Sequence, residues 1–132
     1  MGNSMKKITL LLVIIFTFLF STTSWGEWKF VTDTVSGSKF YYDKDRVRKS
    51  GKYIYFWKLT EYIRPKRGVL SYITYIQLDC SMFQFKNLKH QWYKNTMGEG
   101  EMTDSTPRDE WKYPQPDSSG EELLNKVCEE HQ

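Results

Sequence analysis

At 132 residues, with 19 Lys plus Arg against 16 Asp plus Glu, the chain carries a formal charge of only +3. That is too little for a nucleic-acid binder, which presents a strongly basic face, and the length suits a single domain. Aromatic residues make up 17% of the sequence; they fit pleated, half-buried surfaces, so a β-rich domain is expected.

The first 26 residues read as a secretory signal peptide. Lys6 and Lys7 open it with charge, and Ile8 to Phe20 then run without charge, Gly or Pro. Ser24 and Gly26 place small residues at the −3 and −1 positions of a cleavage site. Cleavage between Gly26 and Glu27 is predicted, leaving residues 27–132 as a mature domain that is periplasmic, cell-surface or secreted. The apolar run falls short of the ~20 residues that a membrane span needs, which makes an uncleaved anchor helix the weaker reading. No later stretch is apolar enough to cross a bilayer, and no Cys follows the leader to carry a lipid.

Export decides how Cys80 and Cys128 are read. In a cytosolic protein such a pair could serve redox or metal chemistry; in an oxidising compartment, two cysteines without CxxC spacing read as a disulfide. Closing a loop of roughly 50 residues would contribute about 4 kcal/mol on chain-entropy grounds. A domain of this size buries only about two-thirds of its unfolded surface, so the contribution matters.

Along the mature chain, Trp28 to Val31 starts as a strand, Gly37 marks a turn, and Lys39 to Tyr42 resumes in β-prone residues. Asp43 to Ser50 is charged and compact, ending on Ser50-Gly51. Lys52 to Tyr62 is the clearest strand. Tyr53, Tyr55, Trp57 and Leu59 fall on one side and Ile54, Phe56 and Tyr62 on the other, which predicts a central strand covered on both faces. Arg64 to Gly68 is a turn by composition, and its basic cluster reads as a solvated loop. Val69 to Cys80 forms the next strand, with Leu70, Tyr72, Ile76, Leu78 and Cys80 on one face and Ile73 and Tyr75 opposite. Met82 to Tyr93 follows, with Phe83 and Phe85 assigned to one face and Leu88 and Trp92 to the other. Asn95 to Arg108 is polar and Gly-containing, a predicted mobile loop, and Glu110 to Tyr113 suits a short edge strand.

Near the C-terminus the period changes. Ser118 and Ser119 are candidate N-caps, each followed three residues on by Glu. Leu123, Leu124, Val127 and Cys128 recur at helical spacing. The expected fold is α+β: a single antiparallel sheet of about six strands, with a C-terminal helix packed on one face and tied to it by Cys80–Cys128.

Catalytic chemistry has little to stand on. His90 has no Cys or acidic residue at metal-ligand spacing, and His131 is one residue from the end, where chains fray. GxSxG, HExxH and P-loop motifs are absent. The pairs Asp43/Asp45 and Asp104/Asp109 lie in polar segments without the apolar setting that tunes a general acid, and the EF-hand pattern begun at Asp43 fails at Val47. No catalytic, cofactor or metal residue is assigned, and the chain is read as a non-enzyme. Aromatics remain. Trp57, Phe56 and Phe83 read as core, whereas Tyr53, Tyr55, Tyr72, Tyr75 and Trp92 are candidates for an exposed binding face, since accessible Tyr and Trp mark recognition surfaces.

In this order and spacing the chain resembles the surface-adhesin protein E family of bacterial secreted proteins. Trp28 comes first, then Tyr41-Tyr42-Asp43, then Val47, Arg48 and Gly51 with Arg46 alongside. Trp57, Leu59 and Tyr62 follow, then Ser71 opening a strand that ends Leu78-Asp79-Cys80. Trp111, Pro114, Pro116 and a last helix carrying Cys128 complete it. The resemblance implies a six-stranded antiparallel sheet with a disulfide-held helix and a non-enzymatic role; the founding adhesin binds host extracellular proteins and is dimeric. The family's lipid-anchored members carry a Cys after the leader, which this chain lacks.

The function expected is therefore an exported binding module that engages extracellular protein or a second copy of itself. The alternative is a small periplasmic carrier holding an apolar or flat ligand between sheet and helix, in a pocket of ~300 Å3 or more.

Overall fold

A computed structural model describes residues 25–132. The expected leader lies outside these residues except for Trp25 and Gly26. Seven strands are present: β1 (Trp28–Asp33), β2 (Lys39–Asp43), β3 (Arg48–Ser50), β4 (Tyr53–Lys66), β5 (Val69–Asp79), β6 (Gln84–Tyr93) and β7 (Met102–Ser105), followed by one helix, α1 (Ser119–His131). They form one antiparallel sheet in the order β1-β2-β4-β5-β6-β7, with β3 pairing on β4. This is the expected α+β architecture, and Cys80 and Cys128 are joined in a disulfide with Cα atoms 5.9 Å apart.

The two longest strands form the centre. β4 and β5 pair from Tyr53↔Asp79 to Glu61↔Ser71 and close through Lys66↔Val69. The two residues between, Arg67 and Gly68, both have positive φ (52° and 77°), as the tight hairpin turn matching strand twist requires. The turn is thus shorter than the composition of Arg64 to Gly68 suggested.

Three segments differ from expectation, each for a local reason. Within Asp43 to Ser50, the polar β3 pairs with Arg48↔Tyr55 to Ser50↔Tyr53; backbone pairing needs no apolar side chains. The polar stretch after β6 contains a 3-10 turn at Thr96–Gly98 and then β7, which pairs with β6 from Tyr93↔Met102 to His90↔Ser105. Its four residues are all exposed, so apolar patterning could not have revealed it. At Glu110 to Tyr113 the pairing shrinks to one bridge, Phe85↔Lys112.

Leu88 is an extra residue in β6, lying between the pairs Tyr75↔Lys89 and Ile76↔Asn87. A bulge of this kind reverses the facing of everything beyond it. Phe85, opposite Leu78, and Trp92, opposite Tyr72, therefore share a face, where strict alternation had set them apart.

Helix α1 starts where the sequence indicated. The Ser118 hydroxyl accepts the Glu121 N–H at 3.1 Å, and Glu121 and Glu122 lie in the first turn, where the helix dipole favours negative charge. Leu123, Leu124 and Val127 are buried against Tyr42, Ile54, Phe56, Ile76 and Leu78, with Cys80 and Cys128 at the margin. Leu59, Ile73 and Tyr93 form a second core on the opposite face, packed with Trp25, Trp28, Tyr41, Trp57 and Met97.

Candidate functional site

The helix covers one face of the sheet; on the other, aromatic rings from several elements meet. Alternation along β4 places Tyr53, Tyr55 and Trp57 there, and the register sets Tyr75 directly across from Trp57. Tyr75 lies 4.4 Å from Trp57 and 6.1 Å from Tyr55, centroid to centroid. Trp57 meets Trp25 edge-on at 5.3 Å, and Trp25 lies 5.6 Å from Trp28. Beyond the β3 end, Trp111 stacks on Tyr53 at 5.6 Å. All of these rings are half-buried, neither sealed in the core nor fully exposed.

Cations ring this band. Arg48 stands 4.8 Å from the Tyr55 ring centre, Lys52 5.3 Å from Tyr53, Lys86 4.8 Å from Trp111 and Arg46 5.4 Å from Trp25. Each pairing holds a charge over an aromatic quadrupole. The result is an aromatic surface with basic side chains at its rim, of which Arg46, Lys52 and Lys86 are also ion-paired, with Asp43, Asp79 and Asp109 respectively.

Of the five aromatic candidates read from sequence, Tyr53, Tyr55 and Tyr75 come together here. Tyr72 and Trp92 do not: they stack on each other at 4.8 Å on the helix side, with Tyr62 5.6 Å from Tyr72. The period-2 facing of β5 separates Tyr72 from Tyr75, and the Leu88 bulge brings Trp92 to Tyr72. Trp25 and Trp28 were not among the candidates; their contribution depends on β1 lying at the sheet edge, which no local signal announces.

Buried polar groups hold the loops around this surface. Asp43 is fully buried; it accepts the Gly26 N–H at 2.9 Å and the Asp45 N–H at 3.1 Å. Ser71, also fully buried, donates to the Asn95 carbonyl at 2.6 Å and accepts the Gly98 N–H at 3.0 Å, fixing the 3-10 turn. Asp79 closes the tight turn after β5 by accepting the N–H groups of Met82 and Ser81 and the Ser81 hydroxyl. The Met82 N–H above all, then the Ser81 hydroxyl and Lys52, hold its carboxyl below the usual range despite desolvation. Three residues of the family-like pattern are thus loop anchors. The predicted Gly26–Glu27 junction falls inside this network, because Gly26 is bonded to Asp43 and Trp25 is packed on Trp57.

The helix-side face holds a group that sequence reading passed over. Lys58 occupies an inward position between Phe56 and Thr60, with its ammonium 3.8 Å from the Phe40 ring centre. Desolvation pulls its pKa down to about 8. The available signal was a charged residue on the apolar side of the strand. Nearby, His90 and Thr74 are hydrogen-bonded at 2.9 Å, and His90 is likewise pushed down, chiefly by desolvation. His131, expected to fray, instead packs edge-on against Tyr42 at 5.6 Å. Among the described residues no three His, Cys, Asp or Glu side chains converge as a metal site.

Comparison with known proteins agrees with this fold. Solved structures that resemble the chain include three of Haemophilus influenzae protein E. One has 14% identity and a TM-score of 0.59, covering 84% of this chain and 89% of its own. A second crystal form has 16% identity and a TM-score of 0.60, covering 84% and 92%. The selenomethionine form has 16% identity and a TM-score of 0.58, covering 83% and 89%. At such identities the likeness is one of fold. No curated protein matches the sequence. The family model for surface-adhesin protein E matches residues 28–129, and with that span matched the chain belongs to the surface-adhesin protein E family.

Proposed function

We propose that this chain is an exported, non-enzymatic recognition module that engages extracellular protein through the sheet face its helix leaves bare. The observation that carries this reading is the band Tyr55–Tyr75–Trp57–Trp25–Trp28 with Arg48 and Arg46 over its rings. Tyr and Trp supply large contact area at low entropic cost, and together with Arg they dominate binding hot spots. The rings are already packed on one another, so little ordering is lost on docking. The adhesin family supports an exported, surface-acting and non-enzymatic role. The same face could pair with a second copy.

The test is binding of the processed protein to immobilised extracellular-matrix protein, followed by biolayer interferometry, with light scattering for oligomeric state. A Tyr55→Ser/Tyr75→Ser variant with native circular dichroism should lose at least about tenfold in affinity, as hot-spot truncation does. Val35→Ala, in the β1–β2 turn, should bind normally. Undiminished binding by the double variant would remove the aromatic face from the function.

A further inference from the structure

Helix α1 covers only part of its sheet face. Beside its first turn lies a cavity of about 250 Å3 between sheet and helix. Lys58, Tyr72, Thr74 and His90 line the sheet side, and Leu123 with the largely exposed Tyr113 flank the other. Among the described residues no carboxylate pairs with Lys58; its ammonium lies over the ring of Phe40. His90 uses Nδ1 on Thr74, leaving Nε2 without a partner among the described residues. On the same strand face, two residues from Lys58 but outside the cavity lining, the buried hydroxyl of Thr60 also lacks a hydrogen-bond partner among the described residues. This part of the fold therefore has a surplus of polar groups and lacks a negative charge.

A half-buried ammonium without a counter-charge is costly, and a carboxylate brought to it would form a charge-assisted hydrogen bond in a poorly solvated place. The tyrosine and leucine walls require an apolar body behind that carboxylate. The volume lies below the range of drug-sized pockets, so the molecule is small. We infer that the cleft between α1 and the sheet binds a small organic monocarboxylate with a planar or short apolar body, its carboxylate on Lys58 and its body between Tyr72, Tyr113 and Leu123. The site lies on the face opposite the aromatic band and stands or falls independently of the recognition role proposed above.

An anion on Lys58 also favours its protonated form, so occupancy raises a lysine pKa that desolvation holds near 8. Benzoate is the probe, with benzyl alcohol as its neutral counterpart, both titrated calorimetrically into the exported chain at neutral pH. Benzoate is expected to bind saturably at millimolar concentration or below. Benzyl alcohol, and benzoate against Lys58→Met, should each be at least about tenfold weaker, the loss expected when a hydrogen bond to a charged group is removed. In the unaltered protein, NMR titration of the Lys58 Cε resonance should show the pKa moving up when benzoate is saturating, a readout independent of any variant. Equal affinity for benzyl alcohol, full benzoate affinity in Lys58→Met, no saturable benzoate binding, or an unmoved Lys58 titration would each overturn the assignment.

Discussion

Tyr42 of β2 and Glu130 of α1, 88 residues apart in sequence, are joined by a hydrogen bond in which the Tyr42 hydroxyl donates to the Glu130 carboxylate. Lys29 of β1 pairs with the same carboxylate. The end of the helix is thereby tied to the edge of the sheet, on the far side of the helix axis from the disulfide. Lys29 first and Tyr42 second pull the Glu130 pKa from 4.5 down to about 2. A carboxylate with a depressed folded pKa contributes stability that is fully present above its unfolded value and lost as pH falls toward the folded one. Thermal stability should therefore decline between about pH 4.5 and pH 2. Glu130→Gln should melt earlier at neutral pH and show a flatter acid limb; a profile parallel to the unaltered protein would show that the tie contributes nothing.

The Cys80–Cys128 bridge spans 48 residues of sequence. Removing both sulfurs as Cys80→Ser/Cys128→Ser should cost about 4 kcal/mol through the entropy returned to the unfolded chain. Urea unfolding at matched protein concentration measures this directly. The reduced unaltered protein should behave like the variant, with helical circular dichroism lost first because α1 then keeps only its apolar stripe and polar ties.

Leu123 is 1% exposed and sits between helix and sheet. Leu123→Ala should destabilise by about 3 kcal/mol, combining lost transfer energy with the cavity left behind. Val35, fully exposed in the β1–β2 turn, offers the contrast: Val35→Ala should stay within roughly 0.5 kcal/mol. Denaturant midpoints for the two variants decide whether the helix–sheet seam carries the stability assigned to it.

Gly98 is buried and has φ +69°, and a Cβ there would sit 2.5 Å from Ile73 Cδ1. Gly98→Ala thus meets both a disfavoured backbone region and a core side chain that is itself fully buried. A cost of about 2 kcal/mol is expected, with faster hydrogen exchange at residues 95–98. Wild-type exchange in the variant would mean that the turn is held by Ser71 alone.

Trp25 packs on Trp28 and Trp57, and the Gly26 N–H satisfies the buried Asp43. A domain starting at residue 25 should therefore be more stable than one starting at residue 27 by roughly 2 kcal/mol, from lost aromatic burial and an unsatisfied carboxylate lone pair. Intact-mass measurement of the exported protein should find Trp25 retained. That corresponds to cleavage after Ser24, with Thr22 and Ser24 as the small residues at −3 and −1 in place of Ser24 and Gly26. A mature mass beginning at Glu27, together with equal stability of the two forms, would return the junction to its first placement.

The sequence by itself determined the elements whose side chains follow one period over a long run. β4 and β5 alternate, α1 repeats its apolar residues at helical spacing behind a serine cap, and two cysteines, one just after β5 and one within α1, have one way to pair. These patterns are local, because each strand or helix must present its apolar residues to one side whatever its neighbours are. The tertiary structure decided what depends on neighbours. An extra residue at Leu88 moved Trp92 to the helix side, exposed polar strands such as β7 formed through backbone pairing alone, and Trp25 entered the aromatic band from beyond the predicted domain start. Lys58 shows the same division: its inward position was readable from alternation, but its lack of a counter-charge among the described residues emerges only when the sheet and helix close around it.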